Sequence, residues 1–210
     1  MKVLVVSDTH GQSREIREVF KKTRPFDYLI HCGDTEGLED QIMRDAACPC
    51  TIVRGNNDFF SDTKKEEIVE LGKIRIFVTH GHHFGVSMGT EMLRDEAKDR
   101  GCNVAMYGHT HRPYLDQSDP LLTVLNPGSL AYPRQEGREP SYIVIDIDRF
   151  GEPHYTLKFL KRGPKAVKRL WCSGAGQSTN SSGAGLMTGG MLRSGERGQK
   201  CFLQGSDSEL

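Results

Sequence analysis

Five short segments of this chain carry residue types that bind metal ions: Asp8-Thr9-His10, Gly33-Asp34, Gly55-Asn56, His80 and Gly108-His109-Thr110-His111. Mixed imidazole and carboxylate suits Mn²⁺, Fe²⁺, Zn²⁺, Co²⁺ or Ni²⁺, whereas Mg²⁺ and Ca²⁺ want more oxygen. No cysteine belongs to the set, which argues against a structural zinc site. Taken singly, each residue has a plainer role: Asp8 could cap the helix after it, and a lone histidine is usually packed or solvated. The clustering outweighs that. Of the eight histidines, six fall in the Asp8–His10 turn or in the segments His80–His83 and His109–His111.

The elements that must position these residues alternate strand and helix in the first half. Lys2–Ser7 is a β-branched apolar run, and Gln12–Thr23 carries Ile16, Val19 and Phe20 at helical spacing. Asp27–Cys32 and Cys50–Arg54 read as strands, and Glu36–Ala47 as the helix between them. Glu66–Leu71 and Lys73–Thr79 predict a hairpin turning at Gly72. Thr90–Arg100 is an amphipathic helix stopped by Gly101, and Asn103–Tyr107 is a strand. Strands alone follow, at about Tyr114–Asp116, Leu121–Leu125, Ser141–Ile147 and His154–Leu160. The alternating half predicts a mostly parallel central sheet. With the all-strand half it predicts an α/β (α+β) architecture of two face-to-face sheets covered by helices. Each candidate ligand cluster then falls at the carboxyl end of a strand, where open α/β sheets bind ligands. If the chain is extended there, residues two apart share a side, so Asp8 with His10, and His109 with His111, converge.

In that order the segments match D-x-H, G-D, G-N-x-[DE], H and G-H-x-H, and the chain resembles the calcineurin-like metallophosphoesterase superfamily. It is most similar to the small single-domain phosphodiesterases of bacteria and archaea, which also carry a turn like Asn126-Pro127-Gly128-Ser129. The resemblance covers about residues 1–160. It implies a four-layer α-β-β-α sandwich and two divalent transition-metal ions, manganese first among them, with nickel, iron, cobalt or zinc as alternatives. It further implies that Asp8, His10 and His111 hold one ion, that Asn56, His80 and His109 hold the other, and that Asp34 bridges them.

Two divalent ions against two carboxylates leave a positive site that attracts phosphate and acidifies water. A metal-bound hydroxide can then attack phosphorus in line with the leaving group, with no side-chain nucleophile. The expected reaction is hydrolysis of a small soluble phosphodiester. Phosphomonoester hydrolysis, nuclease action and a non-catalytic metal-binding scaffold are the alternatives. One departure bears on the proton. Many superfamily members have a histidine directly after the motif's asparagine, and here that position is Asn57. A neutral amide is a poor proton donor, so the sequence predicts either leaving groups that need little protonation or a general acid from elsewhere, His82 first. His82 and His83 read equally well as ordinary residues at the rim of the site. His31 and Cys32 read as packing, and Asp58 as a hydrogen-bond acceptor for its turn. Asn126–Ser129 reads either as a plain turn or as a device orienting the His109–His111 loop.

Lys+Arg and Asp+Glu both total 28 in a chain of 210 residues, so nothing resembles the positive field of a dedicated nucleic-acid binder. The opening apolar run is too short for a signal peptide or a membrane span, so a cytoplasmic protein without membrane contact is expected. A homo-oligomer is compatible with all of this. Without a secretory signal, Cys32, Cys48, Cys50, Cys102, Cys172 and Cys201 read as reduced thiols. Cys48-Pro49-Cys50 lacks the second pair of a zinc finger. The catalytic domain is expected over 1–162, and 163–210 as a Gly/Ser-rich disordered tail that buries too little apolar surface to offset its ordering entropy. A basic stretch (Lys158, Lys161, Arg162, Lys165, Lys168, Arg169) leads into that tail and could touch phosphates, but reads first as a solvated strand edge and linker.

Overall fold

The computed structural model describes residues 1–161, and the expected tail over 163–210, with Cys172 and Cys201, lies outside the described residues. Ten strands and three α-helices follow in order: β1 (Lys2–Val6), α1 (Ser13–Thr23), β2 (Tyr28–His31), α2 (Glu39–Ala46), β3 (Cys50–Ile52), β4 (Glu66–Leu71), β5 (Ile74–Thr79), α3 (Glu91–Asp99), β6 (Val104–Met106), β7 (Pro113–Asp119), β8 (Leu122–Pro127), β9 (Ser141–Ile147) and β10 (Pro153–Phe159). They form two five-stranded sheets, ordered β10-β9-β1-β2-β3 and β4-β5-β6-β8-β7.

Three apolar clusters define the layers. Strand residues alternate faces, so β1 divides its apolar run: Val3 and Val5 meet Ile76, Val78, Val104 and Leu125 of the other sheet, forming the central core. Leu4 and Val6 face the opposite way, against Ile16, Val19 and Phe20 of α1 and Ile42 of α2. On the far side, Phe77, Ala105 and Val124 pack under Leu93 and Ala97 of α3. The result is the expected four-layer α-β-β-α sandwich. Among the described residues no helix is long and apolar enough to cross a membrane.

The structure sharpens two sequence expectations. The alternating half and the all-strand half each contribute strands to both of the expected sheets. Strands β1, β2 and β3 are parallel, as are β5, β6 and β8, while β9 and β10 return to pair antiparallel beside β1. Parallel neighbours need crossovers, supplied by α1 for β1–β2, α2 for β2–β3, α3 for β5–β6 and the strand β7 for β6–β8, while β10 follows β9 by a short turn and so adds antiparallel at the sheet edge. The second concerns α2, which begins at Glu39 rather than Glu36. Glu36 and Gly37 have φ of 52° and 84°, and the Glu36 N–H donates to Asp58 Oδ1 at 2.7 Å, which holds the chain out of helix there.

Candidate metal centre

Every sequence-predicted ligand lies at the carboxyl end of a strand, and the structure brings all of them together. Asp8, His10, Asp34 and His111 place ligand atoms within 4.8 Å of one another. Beside them, Asn56 Oδ1 lies 3.1 Å from His80 Nε2 and 2.9 Å from His109 Nδ1, and His80 Nε2 is 3.4 Å from Asp34 Oδ2. Asp34 is therefore the carboxylate shared by both groups.

The route to convergence differs from the expected one. Asp8, His10, Asp34, His109 and His111 all have positive φ, between 43° and 64°, so these are left-handed turns and not extended chain. Non-glycine residues in this region cost about 1–3 kcal/mol each and persist only where the surroundings enforce them. Here the enforcement is visible. Asp8 N–H donates to Gly33 O, His10 N–H to Asp34 O, and Gly108 N–H to His80 O, stitching the strand ends together at 3.0–3.1 Å. Asp58 is buried and acts as a hub: Oδ2 accepts from Asp34 N–H and Gly55 N–H, while Oδ1 accepts from Glu36 N–H and the Thr35 hydroxyl. Gly55 is required by close approach, since a Cβ there would overlap Asp34 Oδ1.

The histidines are oriented from behind. His10 Nδ1 is held by Glu36 Oε1 at 2.8 Å, His80 Nδ1 donates to Cys32 O at 2.7 Å, and His111 Nδ1 donates to Tyr132 O at 2.8 Å. With one nitrogen engaged, each ring turns Nε2 inward, as in metal sites whose outer hydrogen bonds set tautomer and direction. The Asn126 amide donates to Gly108 O at 2.7 Å and to the Thr110 hydroxyl at 3.1 Å, so Asn126 orients the His109–His111 loop in addition to forming a turn. Ser129 donates to Asp8 O at 3.0 Å and accepts from Tyr132 N–H at 2.8 Å. His31 and Cys32 are fully buried, with the His31 ring between Thr9 Oγ1 and Gly33 N–H.

The electrostatics favour positive charge at the centre. Both Asp8 carboxylate oxygens are buried with no hydrogen-bond partner, an arrangement that is costly for a carboxylate unless a cation balances it. His10 Nε2 and His111 Nε2 face each other at 3.2 Å, and two lone pairs at that distance repel unless a cation lies between them. Burial alone would push the His80 ring down, yet the Asp34 and Asp8 carboxylates hold it above the ordinary imidazole value. Burial opposes ionisation of Asp34 as well, but hydrogen bonds from His80 and Asn57 hold its carboxyl well below the usual range. The donor set thus fits divalent metal ions.

Asn57 donates twice to Asp34, the backbone N–H to Oδ1 at 2.9 Å and the side-chain amide to Oδ2 at 2.7 Å. His82 lies in a short 3-10 turn, His82–Phe84, with its ring centroid 5.5 Å from that of His80 and 6.1 Å from that of His109. Burial first, then the neighbouring imidazoles, push the His82 ring down to about 4, so it is neutral at neutral pH. Cys48 and Cys50 are half-buried, with the Cys50 thiol donating to Cys48 O and pushed up to about 12 by burial, and neither approaches a ligand group. Sequence reasoning missed Glu36 and Tyr132. Glu36 looked like the polar start of a helix, and Tyr132 acts on His111 through its backbone carbonyl, which leaves no mark on residue type.

The model of the calcineurin-like phosphoesterase superfamily domain matches residues 1–149. The chain belongs to that superfamily. It is 35% identical over 173 residues to the probable metallophosphoesterase YsnB of Bacillus subtilis, covering 81% of this chain and 96% of the relative. It is 32% identical over 146 residues to a phosphodiesterase of Methanocaldococcus jannaschii, covering 61% of this chain and 83% of that protein. Among solved structures it is similar to a predicted phosphoesterase of Streptococcus pneumoniae, with a TM-score of 0.64 at 30% identity over 76% of this chain and 88% of that one.

Proposed function

We propose that the chain is a phosphodiesterase using two divalent transition-metal ions, and that it hydrolyses a small phosphodiester. The observation that carries this reading is the inward-facing set of ligand atoms built around a buried, unpartnered Asp8 carboxylate. Asp8, His10 and His111 would hold one ion, Asn56, His80 and His109 the other, with Asp34 between them. Ions held there supply Lewis acidity: they acidify water and offset negative charge gathering on the phosphoryl oxygens.

The rest is done by the chain. Asn57 fixes both oxygens of Asp34, so the shared carboxylate cannot rotate away. Glu36, Cys32 O and Tyr132 O fix the rings of His10, His80 and His111. Because the Asn57 amide is committed to Asp34 and His82 is neutral, the side chains at the rim offer hydrogen bonds and not a strong acid. Turnover should therefore favour leaving groups that depart with little protonation, such as aryl alcohols. His82 remains the first candidate to touch the leaving oxygen.

The test is a metal-reconstituted screen of an aryl phosphodiester, an aryl monoester, cyclic nucleotides and single-stranded nucleic acid. The diester should turn over fastest, and chelation should abolish activity. Faster monoester or nucleic-acid cleavage would favour those alternatives. Stoichiometric metal with no turnover of any probe would favour a scaffold.

A further inference from the structure

Beside the metal centre three arginines line one cleft. Arg112, Arg134 and Arg138, together with Tyr132 and Pro133, surround a volume of about 560 Å³. All three arginines are exposed, and among the described residues none has a carboxylate within ion-pair distance. Arg17, Arg75, Arg94 and Arg100 are paired with carboxylates, whereas other arginines among the described residues are single; what sets Arg112, Arg134 and Arg138 apart is that all three line one cleft. Three unpaired guanidinium groups around one cavity repel one another, and an anion bound among them relieves that repulsion.

The cleft shares a wall with the metal centre. The Tyr132 ring lies 5.1 Å from the His10 ring and is stacked at 13° on that of His111, while the Arg134 N–H donates to His111 O at 2.9 Å. The other flank has the opposite sign. There a cleft of about 830 Å³ is lined by Glu36, Glu39, Asp40 and Asp62, with the exposed rings of Phe59 and Phe60. A phosphodiester seated at the centre thus has one arm over arginines and the other over aromatic rings and carboxylates. A second anionic group is attracted on the first side and repelled on the second.

Resting on the phosphodiesterase reading, we propose that the substrate carries a second phosphate on one alcohol arm, bound by Arg112, Arg134 and Arg138, and an uncharged arm on the Phe59 side. The guanidinium forks match phosphate oxygens in pairs. The recognised chemistry is the second phosphate itself, whatever alcohol carries it.

Two matched probe pairs test this. Binding to the metal-loaded protein is measured by calorimetry for thymidine 3′,5′-bisphosphate and thymidine 5′-monophosphate. Turnover is measured for thymidine 5′-(p-nitrophenyl phosphate) with and without a 3′-phosphate. The 3′-phosphate should tighten binding and raise kcat/KM by roughly tenfold at low salt, the scale of one or two charge-assisted contacts at an exposed rim, and salt should shrink the advantage. Arg134→Gln/Arg138→Gln should erase it. The control Lys73→Gln/Arg149→Gln removes the same charge at the opposite end of the strands and should retain it. Equal binding of the two nucleotides, or an advantage that survives in the arginine variant, overturns the subsite. Hydrolysis of both aryl probes without preference would sink the subsite and leave the phosphodiesterase reading intact. Preferential binding without any hydrolysis would do the reverse.

Discussion

Asp58 never touches the proposed metal positions, yet replacing it should dismantle them. Each of its oxygens accepts two hydrogen bonds at 2.7–3.1 Å, three of the four from backbone N–H groups of Asp34, Glu36 and Gly55. In Asp58→Asn one oxygen becomes an NH₂, so whichever way the amide turns at least one backbone N–H faces a donor, and the bonds that remain lose their charged acceptor, together equivalent to about two of the four bonds. Hydrogen bonds to a charged acceptor contribute about 1.5–3 kcal/mol each, so the expected loss is about 3–6 kcal/mol. Against a total stability of about 5–15 kcal/mol for a domain, that is a large fraction. Because Asp34 and Gly55 are two of the segments held, metal affinity should fall as well. The assay is urea unfolding of chelator-treated wild-type and Asp58→Asn protein, followed by metal titration of both. A variant within 1 kcal/mol of wild type that took up metal normally would refute the idea that this carboxylate holds the turns.

Three further predictions follow from the same geometry. Gly55→Ala should lower diester turnover at least a hundredfold by displacing Asp34 Oδ1, read as kcat/KM at saturating metal, because the new Cβ overlaps that atom. In Asp8→Asn the metal-induced rise in Tm should nearly vanish, since a buried carboxylate with no hydrogen-bond partner is the group a metal ion would neutralise; a variant that kept the wild-type rise would contradict this. For His31, burial, outweighing the nearby carboxylates, pushes the ring from 6.5 down to about 4. The unfolded chain therefore binds the proton first, and stability is lost as pH falls from about 6.5 toward 4, by about 3 kcal/mol. The stability difference between wild type and His31→Gln should narrow by about 2 kcal/mol of this between pH 7 and pH 4.5, measured by urea melts.

Much of this was legible in residue type. The alternation of Val3 and Val5 with Leu4 and Val6 marks a strand with two buried faces, and the Gly72 turn and the Gly101 helix stop fall where they were expected. The candidate ligands that converge were legible as candidates because few other side chains bind metals. Their backbone was not. Nothing in Asp8, His10 or His111 announces a left-handed φ; the Asp8–Gly11 turn is held by hydrogen bonds to the carbonyls of Gly33, Asp34 and Thr35, and His111 by the Arg134 N–H on its carbonyl, all distant in sequence. Sheet membership of β9 and β10 was equally hidden, because a strand's residue pattern does not say which of two sheets it joins. The start of α2 was misjudged for a related reason: Glu36 has ordinary helix propensity, and a tertiary hydrogen bond to Asp58 overrides it.

The central claim is that Asp34 joins two metal positions in one centre. Its most direct test is metal analysis by plasma mass spectrometry on purified, manganese-reconstituted wild-type and Asp34→Asn protein, after removal of free metal. Two ions per wild-type chain, and less than one in the variant with turnover abolished, is the predicted result. A variant that kept both ions and full activity, or a wild-type chain that held none, would contradict the account.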